Sequence, residues 1–161
     1  LPSEQEWERA AWGGREGCEF PWGETLHPGG LPVANTFQGD FPHYNSRLDG
    51  YERTSPVGAF PSNGYGLVDM IGNVWEWTDS WYCVHQLEPA DCCASTQEVL
   101  SQASIDPSSQ HGNVPRKVVK GGSFLCAPSY CRRYRPAARM AQGVDTSTCH
   151  MGFRCILRET R

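Results

Sequence analysis

At 161 residues the chain is the size of one domain with room for a real core. Its 39% hydrophobic and 20% charged residues are ordinary for a folded soluble domain. A formal net charge of -4 gives no electrostatic reason to expect nucleic acid as a partner, and no apolar run is long enough to span a bilayer.

The first stretch, LPSEQEWERAAWGG, reads as the interior of a longer sequence and carries no leader, so the residues leave the compartment undecided. Within it Ser3 precedes Glu6 at the capping-box spacing. Trp7, Ala10 and Ala11 follow at helical intervals and Gly13-Gly14 supply the stop, so one short helix is expected. Beyond it, 17 glycines and 12 prolines punctuate the chain, and PWGETLHPGGLP and FPSNGYG read as turn and irregular loop. Short strands are expected at GNVWEWT, RKVVKGGSF and MGFRCIL, where apolar residues alternate or are β-branched. Between Cys83 and Pro115 a polar stretch reads as a surface excursion. A chain so poor in regular elements must satisfy its backbone with side chains, buried tryptophans or bound ions. Trp7, Trp12, Trp22, Trp77 and Trp81 are accordingly read as core filling.

Two stretches have the chemistry for a hard cation. In ANTFQGDFPHYNSRLDGYE, Asn35 and Asp49 bring oxygens and Gly50 allows a sharp turn. In LVDMIGNVWEWT, Asp69 and Glu76 flank the carbonyls of Gly72 and Val74. Calcium takes six to eight oxygens mixed from carboxylates, amides and carbonyls. Neither stretch follows the EF-hand pattern, and Asx-turns with solvated acids account for the same residues.

Eight cysteines are scattered without C-x2-C spacing. Cys126 and Cys131, in GGSFLCAPSYCRRYR, admit three readings. A disulfide across a short loop is one. Zinc would need about four ligands, and no histidine lies near the pair. Cu(I) is content with two thiolates, and Arg132, Arg133 and Arg135 would favour thiolate if they point inward. Spacing alone places the disulfide first.

The surroundings are more specific than the pair. LPSEQEWERAAWGG, PWG, SPVGAFPSNGYGLVDMIGNVWEWT, GGSFLCAPSYCRRYR and a closing GFRC follow one another in this order. Together they resemble the C-terminal half or more of the formylglycine-generating enzymes, the sulfatase-modifying factor family, across nearly all of residues 1–161. The resemblance implies an α+β fold, a C-type-lectin-like variant with little regular secondary structure. It further implies one catalytic domain, present as its C-terminal portion and lacking the N-terminal part.

The activity implied is oxidation, by molecular oxygen, of a cysteine in a C-x-P-x-R type motif of an unfolded sulfatase precursor to Cα-formylglycine. Carried over by position, Cys126 and Cys131 hold Cu(I), with the substrate cysteine entering as a third sulfur. Ser123 stands beside them, and Trp75 lines the oxygen pocket. Asn35, the carbonyl of Thr36, Asp49 and the carbonyl of Tyr51 form one calcium site. Asp69, Gly72, Val74 and Glu76 form the other, with Asp69 standing where asparagine is often found.

Ala127 occupies a position where many members have histidine, and Pro136 and Ala11 replace cysteines of the vertebrate crosslinks. These departures imply a bacterial-type member, of the cytoplasm or cell envelope. Iron oxidases of the same fold are disfavoured, because no H-x3-H pair is present. A non-catalytic lectin-like module is the alternative of another class, and the intact cysteine pair opposes it. For an oxidising compartment, at least one crosslink is expected among Cys83, Cys92 and Cys93, and one among Cys18, Cys149 and Cys155.

Overall fold

The computed structural model describes residues 1–83, 97–109 and 112–158. Helix α1, Glu4–Trp12, begins at the expected cap. Ser3 Oγ accepts from the Glu6 N–H at 3.2 Å, and Glu6 Oε2 accepts from the Ser3 N–H at 2.7 Å. Gly13 ends the helix in the left-handed region, its N–H donating to the Ala10 carbonyl. Two very short strands, β1 (Gly39–Asp40) and β2 (Tyr44–Asn45), form a hairpin.

The principal sheet holds β3 (Trp75–Trp81), β4 (Arg116–Lys120), β5 (Arg139–Gly143) and β6 (Met151–Gly152) in the order β5-β4-β3-β6. The β3–β4 and β4–β5 pairs are antiparallel, whereas β6 runs parallel to β3. Side chains alternate across β3 and β4. Trp75 and Val119 enter the main core with Phe20, Ala34, Ile71, Cys126 and Tyr134. Glu76 and Lys120, paired in register, face α1 on the other side.

That second face is ionic. Lys120 is fully buried, with Glu8 at 2.8 Å and Glu4 at 3.7 Å, and Glu4 also meets Arg139 at 2.7 Å. The Trp7 indole Nε1 donates to Glu76 at 2.6 Å, tying helix to sheet.

Several expectations are corrected. MGFRCIL is strand only at Met151–Gly152, the two residues that pair with Trp75 and Glu76 of β3. Strand β5, RMAQG, has no β-branched residue and exists through its register with β4. The polar excursion is partly a helix, α2 (Gln97–Ala103), followed by Ser104, whose buried oxygens accept from Arg116. Residues 84–96, which include Cys92 and Cys93, lie outside the described residues. Trp7 is buried, Trp22 and Trp77 pack against the main core, and Trp12 and Trp81 are only half-buried. Cys18, Cys83, Cys149 and Cys155 are free thiols, so the crosslink expected among Cys18, Cys149 and Cys155 is not made.

Candidate active site

After β4 the chain turns through Gly121-Gly122 and delivers Ser123 to Cys126 beneath the main core. Gly122 has φ 73°, and a Cβ there would lie 2.9 Å from the Tyr134 backbone, so the turn requires glycine. Three backbone bonds fix the segment. The Phe124 N–H donates to the Asn73 carbonyl, Cys126 N–H to Ser123, and Phe37 N–H to the Cys126 carbonyl. A turn over residues 127–131 then closes, with the Cys131 N–H donating to the Ala127 carbonyl at 2.9 Å. This turn folds the second cysteine back onto the first.

The Cys126 and Cys131 sulfurs stand 3.1 Å apart as free thiols, within hydrogen-bond range and without a disulfide. Cys126 is buried and Cys131 half-buried. The hydrogen bond between the two sulfurs, together with the Arg133 backbone and charge, lowers the Cys131 pKa to about 6. The same bond, reinforced by burial, pushes Cys126 well above the ordinary thiol value. The two shifts run in opposite directions, which makes Cys131 the more acidic sulfur of the pair. Ser123 is buried, its carbonyl accepts the Cys126 N–H, and its hydroxyl accepts the Leu125 N–H at 3.3 Å.

These residues line a pocket of about 400 Å³ together with Trp75, Phe41, Tyr130, Arg133, Met140 and His150. Phe41 and Tyr130 stack with ring centroids at 4.3 Å, forming one wall. The structure thus brings together all of Cys126, Cys131, Ser123 and Trp75. Sequence reasoning missed His150 as a pocket residue, and of the three arginines expected to favour thiolate if they point inward only Arg133 lines the pocket. His150 is placed by the parallel β3–β6 pairing, where its carbonyl accepts from the Trp75 N–H. Nothing local in the sequence signals that pairing.

The candidate calcium residues form two touching loops. Gly72, at φ 75°, packs so closely on the Asn35 carbonyl that no Cβ fits, and the Asn73 N–H donates to that carbonyl at 2.8 Å. In the first loop Asp49 is held by the N–H groups of Thr36 (3.1 Å) and Tyr51 (3.0 Å). Burial raises its pKa, so its charge is undercompensated. Asn35 spends its amide nitrogen on the Arg53 carbonyl and Asn73, leaving its oxygen available. A half-buried carboxylate beside amide and carbonyl oxygens fits a calcium ion.

The second loop fits less well. Both Glu76 oxygens accept from Arg154 at 2.6 Å, and Oε2 also accepts from Trp7. Arg154 also donates to the Val68 and Asp69 carbonyls, at 3.2 and 3.3 Å. One Asp69 oxygen accepts from the Gly58 N–H. A guanidinium already supplies the positive charge that these acids suggested for a metal. No cluster of three or more His, Cys, Asp or Glu suited to a metal occurs among the described residues, so a calcium site here depends on amide and carbonyl oxygens.

Fold and site together define a small α+β domain of mostly irregular backbone carrying a dithiol pocket. The chain belongs to the family of the sulfatase-modifying factor enzyme 1-like domain, which matches residues 1–159. A formylglycine-generating enzyme of Mycobacterium tuberculosis is 51% identical over 159 residues, covering 97% of this chain and 50% of that protein. A formylglycine-generating enzyme of Bos taurus is 44% identical, covering 96% and 38%. The chain thus spans about half or less of the length of these relatives. Among solved structures, Treponema denticola variable protein 1 matches with a TM-score of 0.63 at 23% identity, covering 95% of this chain and 45% of that one, which shows the fold.

Proposed function

We propose that the chain is the thiol-bearing part of a formylglycine-generating oxidase. In this reading it converts a cysteine in a C-x-P-x-R type motif of a sulfatase precursor to Cα-formylglycine with molecular oxygen. Cys126 and Cys131 hold Cu(I), and the Asn35–Tyr51 loop holds calcium through Asn35, Thr36, Asp49 and Tyr51. The observation that carries the reading is the 3.1 Å approach of two free thiols on the floor of an accessible pocket. The identity to enzymes of that name supports the substrate class.

The residues present suit a soft monovalent metal, because two thiolates are the donors it prefers. Bound there, Cu(I) would supply the one-electron chemistry through which oxygen reacts with a thiol. The chain's own groups do the rest. Cys131 is the more acidic of the two sulfurs, and Cys126 would give up its proton to a bound cation. Ser123 anchors the backbone that carries Cys126, and Trp75 with the Phe41–Tyr130 wall surrounds the thiols with apolar surface. Arg133 lines the pocket and adds positive potential to Cys131.

The test is conversion of a C-x-P-x-R peptide by the full-length protein loaded with Cu(I), read with an aldehyde-reactive hydrazide. Native protein should yield the aldehyde with oxygen uptake, and Cys131→Ser should yield none at an unchanged melting temperature. Full conversion by Cys131→Ser would overturn the assignment.

A further inference from the structure

The dithiol pocket does not end at Leu125. That residue also borders a second cavity, of about 410 Å³. Phe124, Leu125 and Cys126 run in sequence along the two cavities, and Phe41 and Pro42 wall one each. Phe37, edge-on to Phe41 at 5.0 Å, lines the second.

Chemistry changes across Leu125. The first cavity is lined mainly by aromatic rings and sulfur, with Arg133 and His150, whereas the second carries two arginines, Arg47 and Arg53, and His43 against the one carboxylate of Glu52. Arg47 meets Glu52 at 3.4 Å with both side chains mostly exposed, a pairing that solvent screens. Arg53 has its carbonyl anchored by the Asn35 amide at 2.7 Å, and its guanidinium makes no ion pair among the described residues. Arg47 sits at φ 53°, its N–H held by Asn45 Oδ1 at 3.0 Å. The chain thus places a long cationic side chain where the backbone favours glycine, the kind of strain that gathers at ligand sites.

We propose that this second cavity is a subsite for an aspartate or glutamate side chain of the polypeptide substrate, lying close in sequence to the cysteine in the dithiol pocket. The inference rests on the proposed function and extends it from a motif to a wider stretch of substrate. An extended peptide advances about 3.3 Å per residue, so side chains a few residues apart fall into adjoining cavities. A guanidinium receives a carboxylate with two parallel hydrogen bonds, which selects for the acid. A lysine or arginine placed there would meet Arg47 and Arg53, so the same groups select against bases.

Full-length, Cu(I)-loaded protein is offered C-x-P-x-R peptides flanked, on either side of the motif, by glutamate, serine or lysine. The glutamate peptides of one flank should turn over with a kcat/KM about tenfold above the lysine peptides, carried by KM and shrinking as salt rises. Arg53→Ala should abolish that ratio, and Arg53→Lys should restore part of it. Arg47→Gly should reduce the ratio while raising the melting temperature, a combination that misfolding does not produce. Equal turnover of all peptides by the native protein, or a ratio that survives both Arg53→Ala and Arg47→Gly, would overturn the subsite and leave the activity standing. No turnover of any peptide would overturn the activity and the subsite with it.

Discussion

The Cys126→Ala substitution, in copper-free protein, tests the hydrogen bond between the two sulfurs as the cause of the low Cys131 pKa. Cys131 owes its pKa of about 6 first to the Cys126 thiol, with Arg133 second. Removing that partner should return Cys131 toward the ordinary value of 9.0. At pH 7 its thiolate fraction would fall about ninetyfold, from about nine-tenths to about one-hundredth. The more basic thiolate is also intrinsically more nucleophilic. With a Brønsted coefficient of about 0.45, three units contribute roughly twentyfold in the opposite direction. The net loss of alkylation rate at pH 7 is therefore only about fourfold, whereas the midpoint of the pH profile moves by up to about three units. Iodoacetamide labelling from pH 5 to 10, read by mass spectrometry on the peptide containing Cys131, separates the two quantities. A native midpoint above pH 8, or one identical in Cys126→Ala, would refute that role of the hydrogen bond.

Calcium should raise the melting temperature of native protein but not of Asp49→Asn, through a stabilisation of about 2.7 kcal/mol at a hundredfold excess over Kd. Without calcium, burial in the folded state raises the Asp49 pKa above its ordinary value of 3.8, so the folded state binds more protons just above that pH. The Asp49 contribution to stability is then present at low pH and lost as pH rises through the raised pKa. Metal-free Asp49→Asn should therefore gain on native protein between pH 4 and 7 in urea titrations, and a parallel pair of curves would contradict this. Glu76→Gln should cost about 3 kcal/mol, the low end for breaking a buried pair because the Arg154 side chain keeps 24% exposure. That loss should be equal with and without a chelator. A loss seen only in calcium would make Glu76 a metal ligand instead.

Local chemistry was legible where its partners are local. Helix α1 carries its own cap, stripe and stop, so Ser3, Glu6 and Gly13 announce it. The residues of the dithiol site could be named from motif resemblance, but their geometry could not. A five-residue spacing serves a disulfide as well as a metal clip, and the turn over 127–131 and the Phe37–Cys126 bond decide how the sulfurs meet. Strand β5 was hidden because RMAQG has no strand propensity of its own and takes its shape from β4. The ion pair of Glu76 with Arg154 could not be foreseen, because Arg154 is 78 residues away and leaves no mark on local spacing. His150 was passed over for the same reason, and the choice of Arg133 among three neighbouring arginines belongs to the folded chain.

The most direct measurement of the central claim is the amount of Cu(I) bound by the reduced full-length protein, titrated against a competing chelator. One equivalent should bind to native protein, with release of one proton near pH 7.5 as Cys126 ionises, and tight binding should vanish in both Cys126→Ser and Cys131→Ser. Undiminished binding of one equivalent by either variant would contradict the account.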